Sequence, residues 1–373
     1  MDHRTRTLEE LQTHRSGITA KNALLGFDGF VDTIMHAVDR RMGPGAQFDR
    51  IPKIEDFGNR ILAAAGKSTN VELYPIMKKL GGNGPIMGAA LMAAGVKTRY
   101  IGALGKPAIH PVFADFAKKT EAISICEPAT TDAVEFEDGK IMLANPSSLD
   151  EITMKEIAGA VSEGAFLDLL SRADLISLVN WTQILHLTEI LSDLLDRILP
   201  ILPPRDQRIF FFDLADPEKR SVGDLQTALR TISRFHPFGS VTLGLNLKEA
   251  IQVAGALDLP EPKEDPEGLR ALASRIRQAL QIGTVVVHPT KSAACATRED
   301  SWWVPGPWTT KPKITTGAGD HFNAGFVIGQ LLKLSPEACL TVGVHFSGYY
   351  VFNAKSPGLN DVDGFIRECH TSG

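Results

Sequence analysis

Several things are scarce in this chain. Its four cysteines, Cys126, Cys295, Cys339 and Cys369, lie far apart with no Cys-x-x-Cys pair, which argues against a disulfide framework or a zinc site and fits a reducing compartment. Positive charge is not in excess. The formal net charge is −5, so general nucleic-acid binding, which needs a basic face, is not expected. No stretch has the length and apolarity of a membrane helix; Leu80 to Val96 is uncharged but interrupted by glycines, Asn83 and Pro85. The first residues run from Met1 through Arg4 and Arg6 into Leu8-Glu-Glu-Leu11 without the apolar stretch of a secretory signal. A cytoplasmic protein with no membrane partner is expected. Internal repeats and low-complexity segments are absent too. What remains is ordinary for a soluble protein, with 43% hydrophobic and 22% charged residues in 373, enough chain for a large core.

Along the chain, short apolar runs alternate with amphipathic helical patterns. Ala23–Gly26, Val96–Leu104, Leu175–Val179, Ile209–Phe212, Ser240–Leu245 and Thr284–His288 read as strands. Ile184–Leu199, Val222–Phe235, Leu247–Leu257 and Leu269–Leu280 read as helices between them. This alternation predicts a parallel sheet covered on both faces, with ligands at the carboxyl ends of its strands. Asp213, Asn246 and His288 each stand at such an end, although each also suits a cap or turn. Asp132–Asn145 departs from the pattern. It alternates around Glu137-Asp138-Gly139-Lys140, a hairpin turn, and suggests a separate small sheet.

The most informative stretch is Thr315-Thr-Gly-Ala-Gly-Asp-His-Phe-Asn-Ala-Gly-Phe326. Small residues open an apolar helical pattern, so free amides and the helix dipole both favour an anion. A carboxylate there, Asp320, repels a phosphate unless it takes a proton from an attacking hydroxyl, as phosphoryl transfer requires. A simple helix cap is the plainer alternative. Ala65-Gly-Lys-Ser68 mimics the end of a P-loop, but the glycine that motif needs is replaced by Ile61.

Gly317-Ala-Gly-Asp320 with Phe322 and Ala324-Gly-Phe326 resembles the C-terminal signature of the ribokinase-like (PfkB) carbohydrate kinases. Gly81-Gly82-Asn83 resembles that family's sugar-binding glycine pair. Asp216-Pro-Glu-Lys-Arg220 and Asn246-Leu-Lys-Glu249 resemble two further blocks, all in the family's order, from about residue 24 to about 360. The resemblance implies an α/β, ribokinase-like three-layer sandwich with a mostly parallel central sheet, helices on both faces and a small β lid. It divides the chain into an N-terminal helical extension (1–22) and the α/β domain (23–373), with the lid drawn from about 31–75 and 121–146.

It further implies an ATP-dependent sugar kinase. Asp320 is the base, and the amides of Gly317, Ala318 and Gly319 form the anion hole. Asp28, Asp32, Gly81, Gly82 and Asn83 face the sugar. Asn246, Glu249, His288, Thr290 and Asn353 face ATP, and Glu249 holds Mg2+ through water. The residues alone leave other readings open: an Asp-Gly turn at Asp28, a bare loop at Gly81–Gly84, and a capping box at Asn246 and Glu249. A nucleoside kinase or a non-catalytic ligand-binding homologue is the alternative function, and a homodimer through the lid is an option. Three departures stand out. Both glycines of the family's Thr-x-Gly-x-x-Gly are missing from His288-Pro-Thr-Lys-Ser-Ala293. Gly105-Lys-Pro-Ala-Ile-His110 replaces an acidic block. Ile314 stands where a carboxylate orders potassium, so the case for a monovalent cation is weak, unless the chain near 345–360, with Lys355 as the first candidate, supplies the charge.

Overall fold

The computed structural model describes residues 2–205 and 207–369. Among them, nine strands form one sheet in the spatial order Ser301–Pro305, Ser292–Ala296, Thr284–Val287, Ser240–Leu245, Ile209–Asp213, Leu175–Leu178, Asn22–Phe27, Lys97–Gly102 and Ile123–Ser124. Every pair is parallel except the two at the first edge. The strands are continuous apolar runs because both faces are covered. Phe210 and Phe212 enter one core with Leu24, Leu243 and Val285, while Phe211 between them enters the other with Leu25 and Val286. The first core takes the helices Glu163–Arg172, Leu187–Asp193, Val222–Ser233, Leu247–Ala256 and Pro266–Leu280; the second takes Asn83–Ala93, Ala318–Leu331 and Pro336–Asn353. The expected three-layer sandwich is therefore observed.

Local chemistry sets the ends of these elements. The helix expected from Leu269 starts at Pro266, because Asp265 accepts a hydrogen bond from the Gly268 amide at 2.7 Å and proline suits the first helical position. The helix expected over 184–199 is regular only over Leu187–Asp193, then widens into a π-turn at Leu194–Ile198 ahead of Pro200. The edge strands Ser292–Ala296 and Ser301–Pro305 were not anticipated.

The second sheet has five strands. Phe30–Arg41 pairs antiparallel with Leu73–Gly81 and with Phe48–Arg50, and parallel with Ala129–Glu135, which turns back into Lys140–Asn145. Its long central strand leaves the main sheet directly after Phe27, so the two sheets meet at residues 28–30. Asp28 fixes that corner. It is fully buried, and its carboxylate accepts from the amides of Asn83 (2.8 Å) and Gly84 (2.9 Å), from Asn180 Nδ2 (2.8 Å) and from the Tyr100 hydroxyl (3.3 Å). Asp28 thus ties the first strand to the start of the Asn83–Ala93 helix. Removing a buried acceptor strands its donors. Asp28→Ala should lose roughly 3 kcal/mol of stability, read as a lower denaturation midpoint; a midpoint equal to the wild type would show that water replaces the carboxylate.

Candidate active site

The carboxyl ends of the central strands gather four buried carboxylates: Asp28, Asp213, Glu249 and Asp320. Asp320 lies in the first turn of the Ala318–Leu331 helix, whose cap, Gly317, has φ of +89°, a conformation that glycine adopts without strain. His321 holds that cap. Its Nδ1 meets the Gly317 carbonyl at 2.7 Å, its Nε2 meets Ser356 Oγ at 2.8 Å, and its ring stacks on Tyr350. The Tyr350 hydroxyl donates to the Thr316 carbonyl at 3.0 Å. Burial pushes the His321 imidazole down to about 4, so the ring is neutral and braces the loop without charge.

Asn83 Nδ2 donates to Asp320 Oδ1 at 2.9 Å. The glycine-rich helix start near residue 83 and the signature helix therefore meet at the expected base. Burial, and then the negative charges of Asp28 and Glu249, raise the Asp320 carboxyl to about 8 against the lowering effect of Asn83. Behind it the amides of Gly317 and Gly319 have no protein acceptor among the described residues, whereas the Ala318 amide donates to the Thr315 carbonyl at 3.2 Å.

Asp32 is 4% exposed on the central strand of the small sheet, cross-strand from Lys79 and Thr131. Burial raises its carboxyl, opposed mainly by Lys79. A Cβ on Gly81 would lie 2.5 Å from that carboxylate, so only glycine admits Asp32 at this place. Lys140, unremarkable in the sequence beyond its hairpin, carries its ammonium from the small sheet to the Thr316 hydroxyl. Burial and then Lys79 lower its pKa.

Asp28 has no exposed surface and makes four hydrogen bonds within the fold, and so positions the Asn83 helix. Asn353 is exposed and donates to the Tyr349 carbonyl of its own helix at 3.0 Å. Lys355, offered as a substitute charge, is also exposed and precedes a further helix, Leu359–Glu368. Asn246 and Glu249 form the capping box that the sequence allowed: Asn246 Oδ1 accepts from the Glu249 amide at 3.0 Å, and Glu249 accepts from the amides of Asn246 (2.8 Å) and Asp216 (3.0 Å).

A cavity of about 510 Å³ opens beside the signature helix, lined by Asn246, His288, Thr290, Ala318 and Gly319 among others. His288 stacks on Phe322, and its buried Nε2 has no protein partner. Burial holds its imidazole down at about 4.

Asp213 was noted in the sequence only as a strand-end residue. Its Oδ2 accepts from Asn323 at 2.9 Å, while its Oδ1 is buried with no partner. Burial, then Glu249 and Asp320, raise its carboxyl. The orphaned oxygen among three like charges suits a hydrated dication. No group of three or more His, Cys, Asp or Glu side chains in ligating geometry occurs among the described residues.

The raised Asp320 carboxyl has a stability consequence. The folded state holds its proton between the ordinary 3.8 and about 8, a range in which the unfolded chain has released it. Stability from this group is therefore lost as pH rises through that window. Asp320→Asn should raise the thermal midpoint more at pH 8 than at pH 5, and an unchanged or lowered midpoint at pH 8 would count against the buried charge.

A family model described as prokaryotic ketohexokinase matches residues 3–369. A ketohexokinase from Haloferax volcanii is 25% identical over 344 residues, covering 92% of this chain and 90% of that protein. Among solved structures, Arabidopsis thaliana ribokinase complexed with ribose and ATP superposes with a TM-score of 0.61 at 15% identity, over 93% of this chain and 98% of that one. The nucleoside kinase of Methanocaldococcus jannaschii, an archaeal member of the ribokinase family, does so at 0.62 and 13%, with the same coverage. The solved structures share the fold, and the near-complete family match is what assigns the chain: it belongs to the prokaryotic ketohexokinase family, sugar kinases on the ribokinase fold.

Proposed function

We propose that this sugar kinase transfers the γ-phosphate of magnesium-ATP to a hydroxyl of a ketohexose, with Asp320 as general base. The observation that carries the reading is the 2.9 Å hydrogen bond from Asn83 to a buried Asp320 at the start of the signature helix. It joins the expected sugar end to an amide-lined anion pocket. The ketohexose, in preference to a nucleoside, rests on the family match.

In this reading the sugar lies between the small sheet and the strand ends, with Asp32 accepting hydrogen bonds from its hydroxyls and Asn83 holding the base in register. Asp320 accepts the proton of the attacking hydroxyl, and the free amides of Gly317 and Gly319 donate to oxygens of the transferred group. The Ala318 amide joins them only if it releases Thr315. The nucleotide occupies the cavity beside Asn246, His288 and Thr290. Magnesium would be held by Asp213 directly and by Glu249 through water, and when bound it neutralises phosphate charge. Lys140, touching Thr316, adds a positive charge at the same loop from the small sheet. That sheet also carries exposed Ile76, Met77, Met142 and Leu143, apolar surface that supports pairing of two copies through it.

Steady-state kinetics with a ketohexose and Mg·ATP test this assignment. Asp320→Asn should lose at least about a hundredfold in kcat with nucleotide affinity kept, the usual scale for a lost general base. Asp32→Ala should raise the sugar KM far more than the ATP KM. Near-normal turnover in the first variant, or equal KM effects in the second, would sink the mechanism.

Lys140→Ala should lower kcat by roughly ten- to a thousandfold with little change in the sugar KM, the range expected when one charge on the transferred group is removed. Lys140→Arg should recover part of the loss. A pure KM effect would make Lys140 a sugar ligand instead.

A further inference from the structure

At the amino ends of the central strands, opposite the carboxylate cluster, a cavity of about 700 Å³ is lined by Arg205, Arg208, His236, Arg298 and Glu299. Arg208 immediately precedes the strand Ile209–Asp213, so the fold holds its backbone in place. It is 2% exposed, yet its guanidinium makes one long hydrogen bond, 3.4 Å to the Ser171 carbonyl, and its Nε is buried with no partner. No carboxylate pairs with it among the described residues.

Its neighbours do not relieve the charge. Arg205 donates to the same Ser171 carbonyl at 3.0 Å, which sets two guanidinium groups side by side. Asp174 is spent on Arg205 Nη2 (2.6 Å) and on the Asn22 amide (2.8 Å). Arg298 reaches only His236, whose Nδ1 is itself buried and unpartnered. Among the described residues on the cavity wall the one carboxylate, Glu299, is held by the Thr297 hydroxyl. Burial, and after it the charge of Arg205, lower the Arg208 pKa against the opposing charge of Asp174, so the burial of this cation is only partly compensated among the described residues.

A buried cation without a partner is costly. Converging guanidinium forks match the oxygens of phosphate, and the cavity has the size of a small-molecule site. We propose that this cavity binds a phosphate group, free or carried by a small metabolite, at a site separate from the catalytic cleft.

Isothermal titration of the intact protein with inorganic phosphate, with a ketohexose phosphate and with AMP tests this. Wild type should show a binding component that Arg208→Gln weakens at least tenfold, with sugar-kinase kcat/KM unchanged. Arg298→Gln, an exposed position, should weaken the same component several-fold and provides the check should Arg208→Gln fail to fold. Binding by phosphate alone would assign a free-anion site; tighter binding by one of the esters would assign that carrier. Equal affinity for every probe in wild type and Arg298→Gln, or no component that either variant reduces, overturns the proposal.

Discussion

The hydrogen bond between Asn83 and Asp320 joins residues 237 positions apart, and most of the site depends on it. Each partner stands at the start of a helix, where amides are free and the dipole favours negative charge. Each helix is fixed by something else: the Asn83 end by Asp28, which accepts two of its amides, and the Asp320 end by neutral His321 gripping the Gly317 carbonyl. The two helices therefore aim their amino ends at one point from different parts of the chain. In the proposed mechanism a sugar hydroxyl bound near one end would be delivered to the anion pocket of the other.

That convergence is electrostatically expensive. Asp28, Asp213, Glu249 and Asp320 are buried near one another, and burial raises the carboxyl of each. The protein answers unevenly. Asp28 and Glu249 are saturated by backbone amides, while Asp213 keeps an oxygen without a partner. Structural carboxylates are satisfied internally, and the unsatisfied one stands beside the place where the reading needs a cation. A protonated Asp320 cannot act as a base, so in the proposed mechanism the positive charge of the nucleotide's metal would favour its ionised form.

Much of this was legible in the sequence, for physical reasons. Central strands such as Ile209–Asp213 are buried on both faces and read as unbroken apolar runs. The hairpin declared itself over 132–145 by alternation around Asp138-Gly139, and its first strand in fact starts at Ala129. Ser292–Ala296 did not, because its small side chains carry little β signal. Nor did Leu73–Gly81, where Pro75, Lys78 and Lys79 disguise a strand half open to solvent. At the site, Asp320 and Asn83 were readable as motif members, but nothing in the sequence tells that Asp28 is consumed by four donors or that Lys140 crosses from the small sheet. Those facts arise from packing.

The Asn246–Glu249 pair shows why the structural and functional readings of one motif need not compete. As a capping box it satisfies the free amides of its helix, and Glu249 also accepts from Asp216, a residue held at positive φ. Both carboxylate oxygens are then occupied and their positions fixed to the backbone of two loops. A carboxylate held this way cannot turn to embrace a bare ion, but it offers a rigid acceptor to water in the shell of one. A hydrated magnesium ion needs that kind of partner, so the contacts that make Glu249 structural are also the ones that fit it for a place in the outer shell.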